Sequence, residues 1–370
     1  MRRPQRLPRA ANSVPLEDRE SAAPGLPEDF ATRVVAWQRS HGRSELPWQN
    51  TQDPFRVWLS EVMLQQTQVS TVLGYFARFL DRFPSVQALA AGSEDEVLGL
   101  WSGLGYYSRA RNMHRCAQDV VSRFGGVFPR TAAELQTLPG IGRSTAAAIA
   151  AFCFGERVAI LDGNVKRVLT RVLGFEGDLA SAAQEKALWA LATDLLPPPA
   201  QRDAMAGYTQ GLMDLGATVC LPRKPSCMIC PASELCLGRR AGAPERFPVK
   251  TRKLRRSAQS LWMLKAFDRK GRIWLEKRPP RGIWAGLYCL PVYESRALLL
   301  DELAPDAHGA AQDDPAFLHV LTHKDLHLHP VSVAYAAERP PTASGSWFEA
   351  GEWPVLGLPA PVRKLLAASD

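Results

Sequence analysis

The sequence predicts a mainly α-helical domain followed by a smaller α+β domain, and three observations support this. From about residue 27 to residue 237, apolar side chains recur every three or four positions between Gly and Pro breaks, which is typical of amphipathic helices. Beyond residue 257 the pattern changes to short apolar runs punctuated by Gly and Pro, as in strands. The 370 residues are enough for two or three domains with separate cores.

The composition is that of a globular protein. Hydrophobic residues make up 46% and charged residues 22% of the chain, which argues against a fibrous or wholly disordered protein. No run approaches the roughly 18 uncharged apolar residues of a membrane span, so we expect no membrane segment. Residues 1–25 are rich in Pro and Arg and lack the apolar stretch of a secretory signal. We expect them to form a disordered basic arm.

The helical pattern is clearest between Pro54 and Met63, where Asp53 is placed to cap a helix and Pro54 suits its first position. Further helices are predicted at residues 146–152, 165–173 and 188–196, and no strand is predicted before residue 238. In the second domain, strands are predicted at residues 260–267, 272–277, 318–321 and 330–335.

A strongly basic segment joins the two domains. Residues 239–256 hold eight basic side chains and one acid, a net charge of +7 in a chain whose total is +8. We interpret residues 238–256 as a connector between domains at 26–237 and 257–370. Such a segment is either a solvated linker or one that also lies along a polyanion such as DNA.

Four of the seven cysteines are clustered and predict a metal site. Cys116, Cys153 and Cys289 are scattered in apolar segments, where buried side chains are expected. The other four, within residues 220–236, are Cys220, Cys227, Cys230 and Cys236. Four thiolates in one short loop suit structural zinc or an iron–sulfur cluster. A single C-x₂-C pair flanked by single cysteines favours the cluster.

A second motif, Leu138-Pro-Gly-Ile-Gly142, lies between two predicted helices, the first ending near Leu138. Pro139 and Gly140 predict a tight turn, and Gly142 leaves the N–H groups at the next helix start uncovered. Exposed N–H groups at a helix start can bind a phosphate. The alternative is an ordinary turn between core helices.

The hairpin, an acid about twenty residues later and the cysteine loop follow one another as in the helix–hairpin–helix DNA glycosylase superfamily. Further motifs narrow the resemblance to one branch: Pro47-Trp48, Trp58-Leu-Ser-Glu-Val-Met-Leu-Gln-Gln-Thr-Gln68, Gly103-Leu-Gly-Tyr-Tyr107, Leu161-Asp-Gly-Asn-Val-Lys-Arg167 and Met213-Asp-Leu-Gly216. The chain resembles the adenine DNA glycosylase (MutY) family from about residue 27 to residue 237, and more weakly beyond.

The resemblance implies a helix–hairpin–helix glycosylase domain with one 4Fe–4S cluster and a Nudix-like domain that recognises 8-oxoguanine. It implies excision of adenine paired with 8-oxoguanine or guanine in duplex DNA. We expect a monomer in the cytoplasm, associated with the nucleoid and not with a membrane. No glutamate-rich metal helix follows residues 286–291, so we do not expect pyrophosphate hydrolysis by the Nudix-like domain.

Breaking an N-glycosidic bond requires protonation of the leaving base and stabilisation of an oxocarbenium-like sugar, and two carboxyl groups suit these tasks. Glu61 lies away from the apolar stripe of its helix and is either solvated or lines a cleft, where burial would raise its pKa. Asp162 is placed to cap a helix and to stay ionised. The resemblance implies that Glu61 protonates adenine at N7 and assists water attack, Asp162 stabilises the sugar cation and Asn164 orients the reacting groups.

Ser144 separates two subtypes of the superfamily. The endonuclease III branch has at this position a lysine that forms a Schiff base and cleaves the strand, whereas a hydroxyl group cannot form that imine. We therefore predict a monofunctional glycosylase.

Access to a base inside a duplex requires flipping it out, and the resemblance implies which residues contact the DNA. They are Trp48 and Gln210 near the adenine pocket, Gln66, Thr67, Leu104 and Tyr106 beside the opposing base, and Thr322 and His323 in a turn that reads the oxidised base. Gln65 and the hairpin glycines Gly140 and Gly142 are further expected DNA contacts. For Tyr106, a core position is the alternative. Gln49 replaces a family Arg, and Leu321-Thr322 replaces Phe-Ser.

Two alternatives to an adenine glycosylase remain. A bifunctional glycosylase for pyrimidine lesions is opposed by Ser144 and by the second domain. A non-catalytic DNA clamp is opposed by Glu61 and Asp162, because carboxylates repel DNA and phosphate binding does not require them.

Overall fold

The computed structural model describes residues 29–251, 255–303, 305–335, 341–342 and 344–368. The predicted disordered arm at 1–25 and residues 252–254 of the predicted connector lie outside this range. Within the described residues, no helix is both long enough and apolar enough to cross a membrane.

The first domain is helical, and none of its described residues forms a strand, as predicted. Its α-helices are α1 Phe30–His41, α2 Pro54–Leu64, α3 Val69–Arg82, α4 Val86–Ala91, α5 Glu94–Trp101, α6 Ser108–Phe124, α7 Ala132–Leu135, α8 Arg143–Phe154, α9 Gly163–Val172, α10 Ala182–Asp194, α11 Met205–Asp214 and α12 Leu237–Arg240. The predicted cap of α2 is confirmed, since the Asp53 carboxylate accepts a hydrogen bond from the Phe55 N–H at 2.9 Å. A π-helical turn, Leu215–Val219, continues α11 toward the cysteine loop.

Two hydrophobic cores lie on either side of α8. One contains Trp58 and Trp101 and is built mainly by α2, α3, α5 and α6. The other contains Phe30 and Tyr208 and is built mainly by α1, α9, α10 and α11. Alanines of α8 are buried in both cores, because their small side chains allow close packing on more than one face. The fold thereby places the polar face of α2 opposite the start of α9.

Two segments differ from the sequence prediction. The helix before the hairpin ends at Leu135, three residues earlier than predicted, since the chain tightens into i→i+3 turns ahead of Pro139. Residues 238–251 are not a free linker but pack on the helical domain. Phe247 is buried and the Leu179 N–H donates to the Val249 carbonyl at 3.1 Å.

The second domain is an α+β layer structure. Its described strands are β1 Ser257–Phe267, β2 Ile273–Lys277, β3 Tyr288–Cys289, β4 Val292–Tyr293, β5 Gln312–Asp313, β6 Phe317–Val320, β7 Lys324–Ala334 and β8 Ser346–Phe348. Its described helices are α13 Arg296–Glu302, α14 Pro305–His308 and α15 Ala360–Ala367. The strand order β3-β2-β1-β7-β5 centres on a parallel β1–β7 pair. Both sheet faces are covered: α15 packs on one and α13 on the other.

A polar clasp between the α5–α6 loop and residues 358–363, which include the start of α15, joins the two domains. The Tyr107 hydroxyl donates to the Leu358 carbonyl at 2.7 Å, and Arg363 donates to the Ser102 hydroxyl at 3.0 Å. Beside the clasp, Gly99 of α5 lies against the backbone of the second domain. Hydrogen bonds and close backbone packing therefore both contribute to this contact between the domains.

Gly99→Ala should destabilise the chain, because a Cβ at this position would lie 2.2 Å from the Val355 carbonyl oxygen, and that backbone would have to move. We expect a loss of about 1–2 kcal/mol, measured by thermal unfolding. Gly74→Ala is the matched control, since Gly74 lies inside α3 and a Cβ added there would meet no atom within 4 Å. This control should gain up to about 1 kcal/mol. Equal gains from both substitutions would contradict the close contact beside the clasp.

Candidate active site

A cavity of about 940 Å³ lies between the two cores of the helical domain. It brings together side chains from α2, the start of α9, α11 and the loop before α2. The predicted site residues that line it are Trp48, Glu61, Thr67, Asp162, Asn164 and Gln210. Residues separated by up to about 160 positions in sequence therefore meet in one space large enough for a nucleobase and its sugar.

Glu61 is partly buried in this cavity. Burial, and secondarily the negative charge of Asp162, raise the pKa of its carboxyl group from 4.5 to about 8. The prediction that burial would raise this pKa is confirmed, and the interpretation of Glu61 as a solvated surface residue is wrong. At neutral pH the Glu61 carboxyl group holds a proton that it can donate.

Asp162 caps α9, as predicted, and accepts a hydrogen bond from the Val165 N–H at 2.7 Å. Burial raises the pKa of its carboxyl group, against the lowering effects of the Val165 and Asn164 N–H groups and the charges of Arg167 and Lys166. The sequence indicated the cap but not the burial. These donors and cations favour the ionised form of Asp162, whereas Glu61 is neutral.

Asn164 connects the cavity to the cysteine loop. Its side-chain oxygen accepts a hydrogen bond from Arg167 at 2.8 Å, and Arg167 also donates to the carbonyl of Cys220 at 2.8 Å. Gly216 is required here, since a Cβ at that position would lie 2.7 Å from the Cβ of Asn164. The position of the Asn164 amide therefore depends on the chain that leads into the cysteines.

Two amide side chains flank the expected adenine position. Gln210 donates to Asp214 at 2.8 Å, and Asp214 is fully buried and also accepts from Arg43. Gln49 accepts from the Leu46 N–H at 3.2 Å, while its buried Nε2 has no partner among the described residues. Gln49 thus lines the cavity and carries a buried amide N–H group without a partner among the described residues, which the sequence showed only as a departure from the family.

The residues expected at the opposing base lie on two strained loops. Gln66 and Tyr106 have positive φ angles of 56° and 48°, a conformation that costs about 1 kcal/mol or more for a side chain with a Cβ. The Tyr106 ring is 43% exposed, so its interpretation as a core aromatic is wrong. Its hydroxyl shares a hydrogen bond of 2.5 Å with the Thr322 hydroxyl of the second domain.

The structure places other predicted DNA contacts differently. Leu104 is 6% exposed and packs in the core, so its side chain is not presented to DNA. Gln65 is the end cap of α2 and lies outside the cavity lining. His323 is exposed beside Thr322. The strained loops after α2 and before α6 are both held by Arg109, a residue that no sequence motif indicated.

The hairpin has the predicted open geometry. Gly140 has a φ of 76°, and a Cβ there would lie 2.7 Å from the Asn112 side chain. Gly142 precedes α8, and a Cβ added to it would meet no atom within 4 Å, which leaves the first turn of α8 accessible. Ser144 lies in that turn, outside the lining of the cavity.

The four clustered cysteines line one small apolar cavity. Arg171, buried behind it, donates to the Cys220 sulfur at 3.3 Å and to the carbonyls of Leu221 and Pro222. Convergent sulfurs, an apolar surround and a cationic donor to sulfur fit an iron–sulfur cluster held by thiolates. Among the described residues, no three His, Cys, Asp or Glu side chains are grouped around a single metal-ion position.

Comparisons with known proteins identify both domains. Residues 59–193 match the family model of the HhH-GPD superfamily of base excision DNA repair proteins, and residues 262–368 match a NUDIX domain model. The predicted fold class is thereby confirmed.

The chain is similar to an adenine DNA glycosylase of Buchnera aphidicola, with 34% identity over 91% of this chain and 96% of that protein. The adenine DNA glycosylase of Homo sapiens is 43% identical over 57% of this chain and 39% of its own length. Among solved structures, a thermostable thymine-DNA glycosylase covers 57% of this chain and 95% of its own, with 29% identity and a TM-score of 0.50.

Glu61→Gln should stabilise the fold at neutral and alkaline pH. Because the pKa of Glu61 is about 8 in the folded chain and about 4.3 in an unfolded one, the folded state binds the extra proton between these values. The free energy of unfolding of the wild type therefore falls as pH rises across this window, whereas Gln stays neutral.

The expected difference is absent near pH 4 and reaches roughly 2 kcal/mol near pH 8, discounted for the partial exposure of the carboxyl group. Thermal unfolding of both proteins across this pH range measures it. Glu45→Gln, at an exposed position in the loop before α2, is the control. A difference between Glu61→Gln and wild type that does not change with pH would contradict the raised pKa.

Proposed function

The chain belongs to the adenine DNA glycosylase family, hydrolases of N-glycosyl bonds that act in base excision repair, and we propose that it removes adenine paired with 8-oxoguanine or guanine in duplex DNA. One observation carries the proposed chemistry. A carboxyl group that is protonated at neutral pH, Glu61, shares a cavity with a carboxylate supported by N–H donors, Asp162.

In the proposed mechanism, adenine leaves the base stack and enters the cavity beside Trp48, Gln49 and Gln210. The Glu61 carboxyl group donates its proton to N7 of the base, which makes the base a neutral leaving group. Glu61, then ionised, accepts a proton from the attacking water molecule.

As the bond to the base breaks, positive charge develops on the sugar. The Asp162 carboxylate, fixed at the start of α9, lies in the same cavity and stabilises this charge. Asn164, held by Arg167, orients the reacting groups. The cation is hydrolysed, and an abasic site remains in an uncut strand.

The opposing base is read, in this proposal, by Gln66, Thr67 and Tyr106 of the first domain and by Thr322 and His323 of the second. The hydrogen bond between Tyr106 and Thr322 supports a joint role, because it brings contact residues of both domains together. The hairpin glycines offer backbone N–H groups to a DNA phosphate.

Ser144 supports a monofunctional enzyme, since no amine is available at that position for a Schiff base. The match to an adenine DNA glycosylase extends across both domains. It favours adenine as the excised base over a pyrimidine lesion. We further propose a monomer that acts on nucleoid DNA in the cytoplasm.

We also propose that Cys220, Cys227, Cys230 and Cys236 hold one 4Fe–4S cluster, which supplies metal–thiolate bonds that fold the loop. Arg171 and the apolar lining of the small cavity support this assignment. The role is structural: the loop positions Arg167, and Arg167 positions Asn164.

The proposed reaction can be tested on a duplex with one 8-oxoguanine:adenine pair, under single-turnover conditions with and without alkali, which cuts at abasic sites. We expect strand breaks only after alkali. Glu61→Gln should lower the rate by about 10²–10⁴-fold while DNA binding is retained, and Glu45→Gln should match the wild type. Breaks without alkali would show lyase chemistry, and tight binding without excision would favour the DNA clamp.

The cluster can be tested by metal analysis of the purified protein. We expect about four irons per chain, a visible absorption band and loss of both in Cys227→Ser. The control Cys153→Ser alters a cysteine outside the loop and should keep its iron. Zinc in place of iron would contradict the assignment of a 4Fe–4S cluster.

A further inference from the structure

Arg109, the second residue of α6, makes six hydrogen bonds to the end of α2, the loop after it and the loop before α6. Its Nη1 donates to the carbonyls of Val62, Met63 and Gln65 at 2.8, 2.9 and 2.7 Å. Its Nη2 donates to the Thr67 hydroxyl at 3.3 Å and to the carbonyls of Leu104 and Gly105 at 3.2 Å each. One guanidinium group thus connects the end of α2 to the loop before α6.

The Arg109 side chain is a buried cation without a carboxylate partner. The residue is 9% exposed, and no carboxylate oxygen of the described residues lies within 4.0 Å of its nitrogens. Carbonyl groups at the C-terminus of α2 and the rings of Trp101 and Tyr106, at 5.1 and 5.6 Å from the guanidinium carbon, surround it instead. An unsatisfied buried charge is costly. Any movement of the acceptor groups away from Arg109 would therefore destabilise the fold.

The two loops that Arg109 connects contain the strained residues. Gln66 lies between the acceptors Gln65 and Thr67, and Tyr106 directly follows the acceptor Gly105. Both residues have positive φ angles, which persist only where surrounding contacts determine the backbone. The bonds of Arg109 flank both positions and provide that constraint.

We propose that Arg109 is a positioning residue for recognition of the base opposite adenine. It fixes Gln66, Thr67 and Tyr106 as a single reading surface and joins that surface to the end of α2, the helix that carries Glu61. The preference for 8-oxoguanine over guanine that this reading surface is proposed to give therefore depends on a side chain that touches neither base. The inference rests on the proposed function, in which these residues read the opposing base.

The planar fork of arginine is essential to this role. Nη1 bonds the end of α2 and the first residue after it, and Nη2 bonds both the loop after α2 and the loop before α6. A lysine ammonium is a point charge that cannot reproduce this fork. Arg109→Lys keeps the charge and most of the aliphatic stem but should lose the fixed relation between the loops. Arg109→Met removes all six bonds at similar volume.

The test compares single-turnover excision from 8-oxoguanine:adenine and guanine:adenine duplexes by the same enzyme preparation at saturating concentration. The ratio of the two rate constants does not depend on the folded fraction. We expect Arg109→Met to reduce this ratio about tenfold, mainly by slowing the 8-oxoguanine substrate, and Arg109→Lys to reduce it as well. If Arg109→Met does not fold, Arg109→Lys provides the measurement.

Arg123→Met is the matched control. Arg123 lies on the same helix, is exposed and pairs with Asp119 at 3.1 Å, so its substitution should leave the ratio unchanged. Equal slowing of both substrates in the Arg109 variants would show a general structural role and overturn the proposal.

If Arg109→Met keeps the wild-type ratio of rate constants, the proposed role of Arg109 is wrong, although the proposed function still stands. A wild-type ratio near one would instead overturn the proposed preference for 8-oxoguanine, and with it this inference. The two failures are therefore distinguished by the wild-type measurement.

Discussion

The active site depends on the confinement of two carboxyl groups, Glu61 and Asp162, in one partly buried cavity. Two negative charges in such a space repel each other, and burial disfavours each of them. The fold accommodates the two carboxyl groups by giving them different surroundings. Asp162 receives N–H donors at the start of α9 and lies near two cations, whereas burial and the charge of Asp162 leave Glu61 protonated at neutral pH. The proposed division of roles, with Glu61 as the acid and Asp162 as the stabilising anion, thus follows from environment, since the residue types are chemically alike.

The rest of the helical domain maintains this confinement. The alanine-rich helix α8 lets two cores approach closely, so that α2 from one and α9 from the other face the same space. A π-helical turn and a close glycine contact at Gly216 then direct the chain into the cysteine loop, and Arg167 returns from α9 to bond that loop. A polar, electrostatically unfavourable cavity is thereby held between two rigid apolar regions.

The sequence was sufficient to predict features that depend only on residues close together in the chain, such as helix caps. Asp53 and Pro54 predicted the start of α2, and Asp162 predicted the cap of α9, because a cap is decided within about three residues. Features that depend on contacts between distant segments could not be predicted from the sequence and are seen only in the structure. The free amide of Gln49 and the buried bonds of Arg109 depend on segments that no short pattern relates. Strands of two residues, such as β3 and β4, carry too few side chains to show an alternation.

The residues proposed for recognition and those proposed for bond cleavage lie in different parts of the chain, but both sets are connected to α2. Glu61 lies on α2, and the loops that follow α2 and precede α6 carry the residues assigned to the opposing base. Tyr106 extends this surface to the hydroxyl group of Thr322 in the second domain. Hydrogen bonds thus run from Thr322 to Tyr106, and from Gly105, which precedes Tyr106, through Arg109 to the end of the helix that carries Glu61. The proposed reading surface and the Glu61 helix therefore belong to one connected set of contacts that includes the second domain.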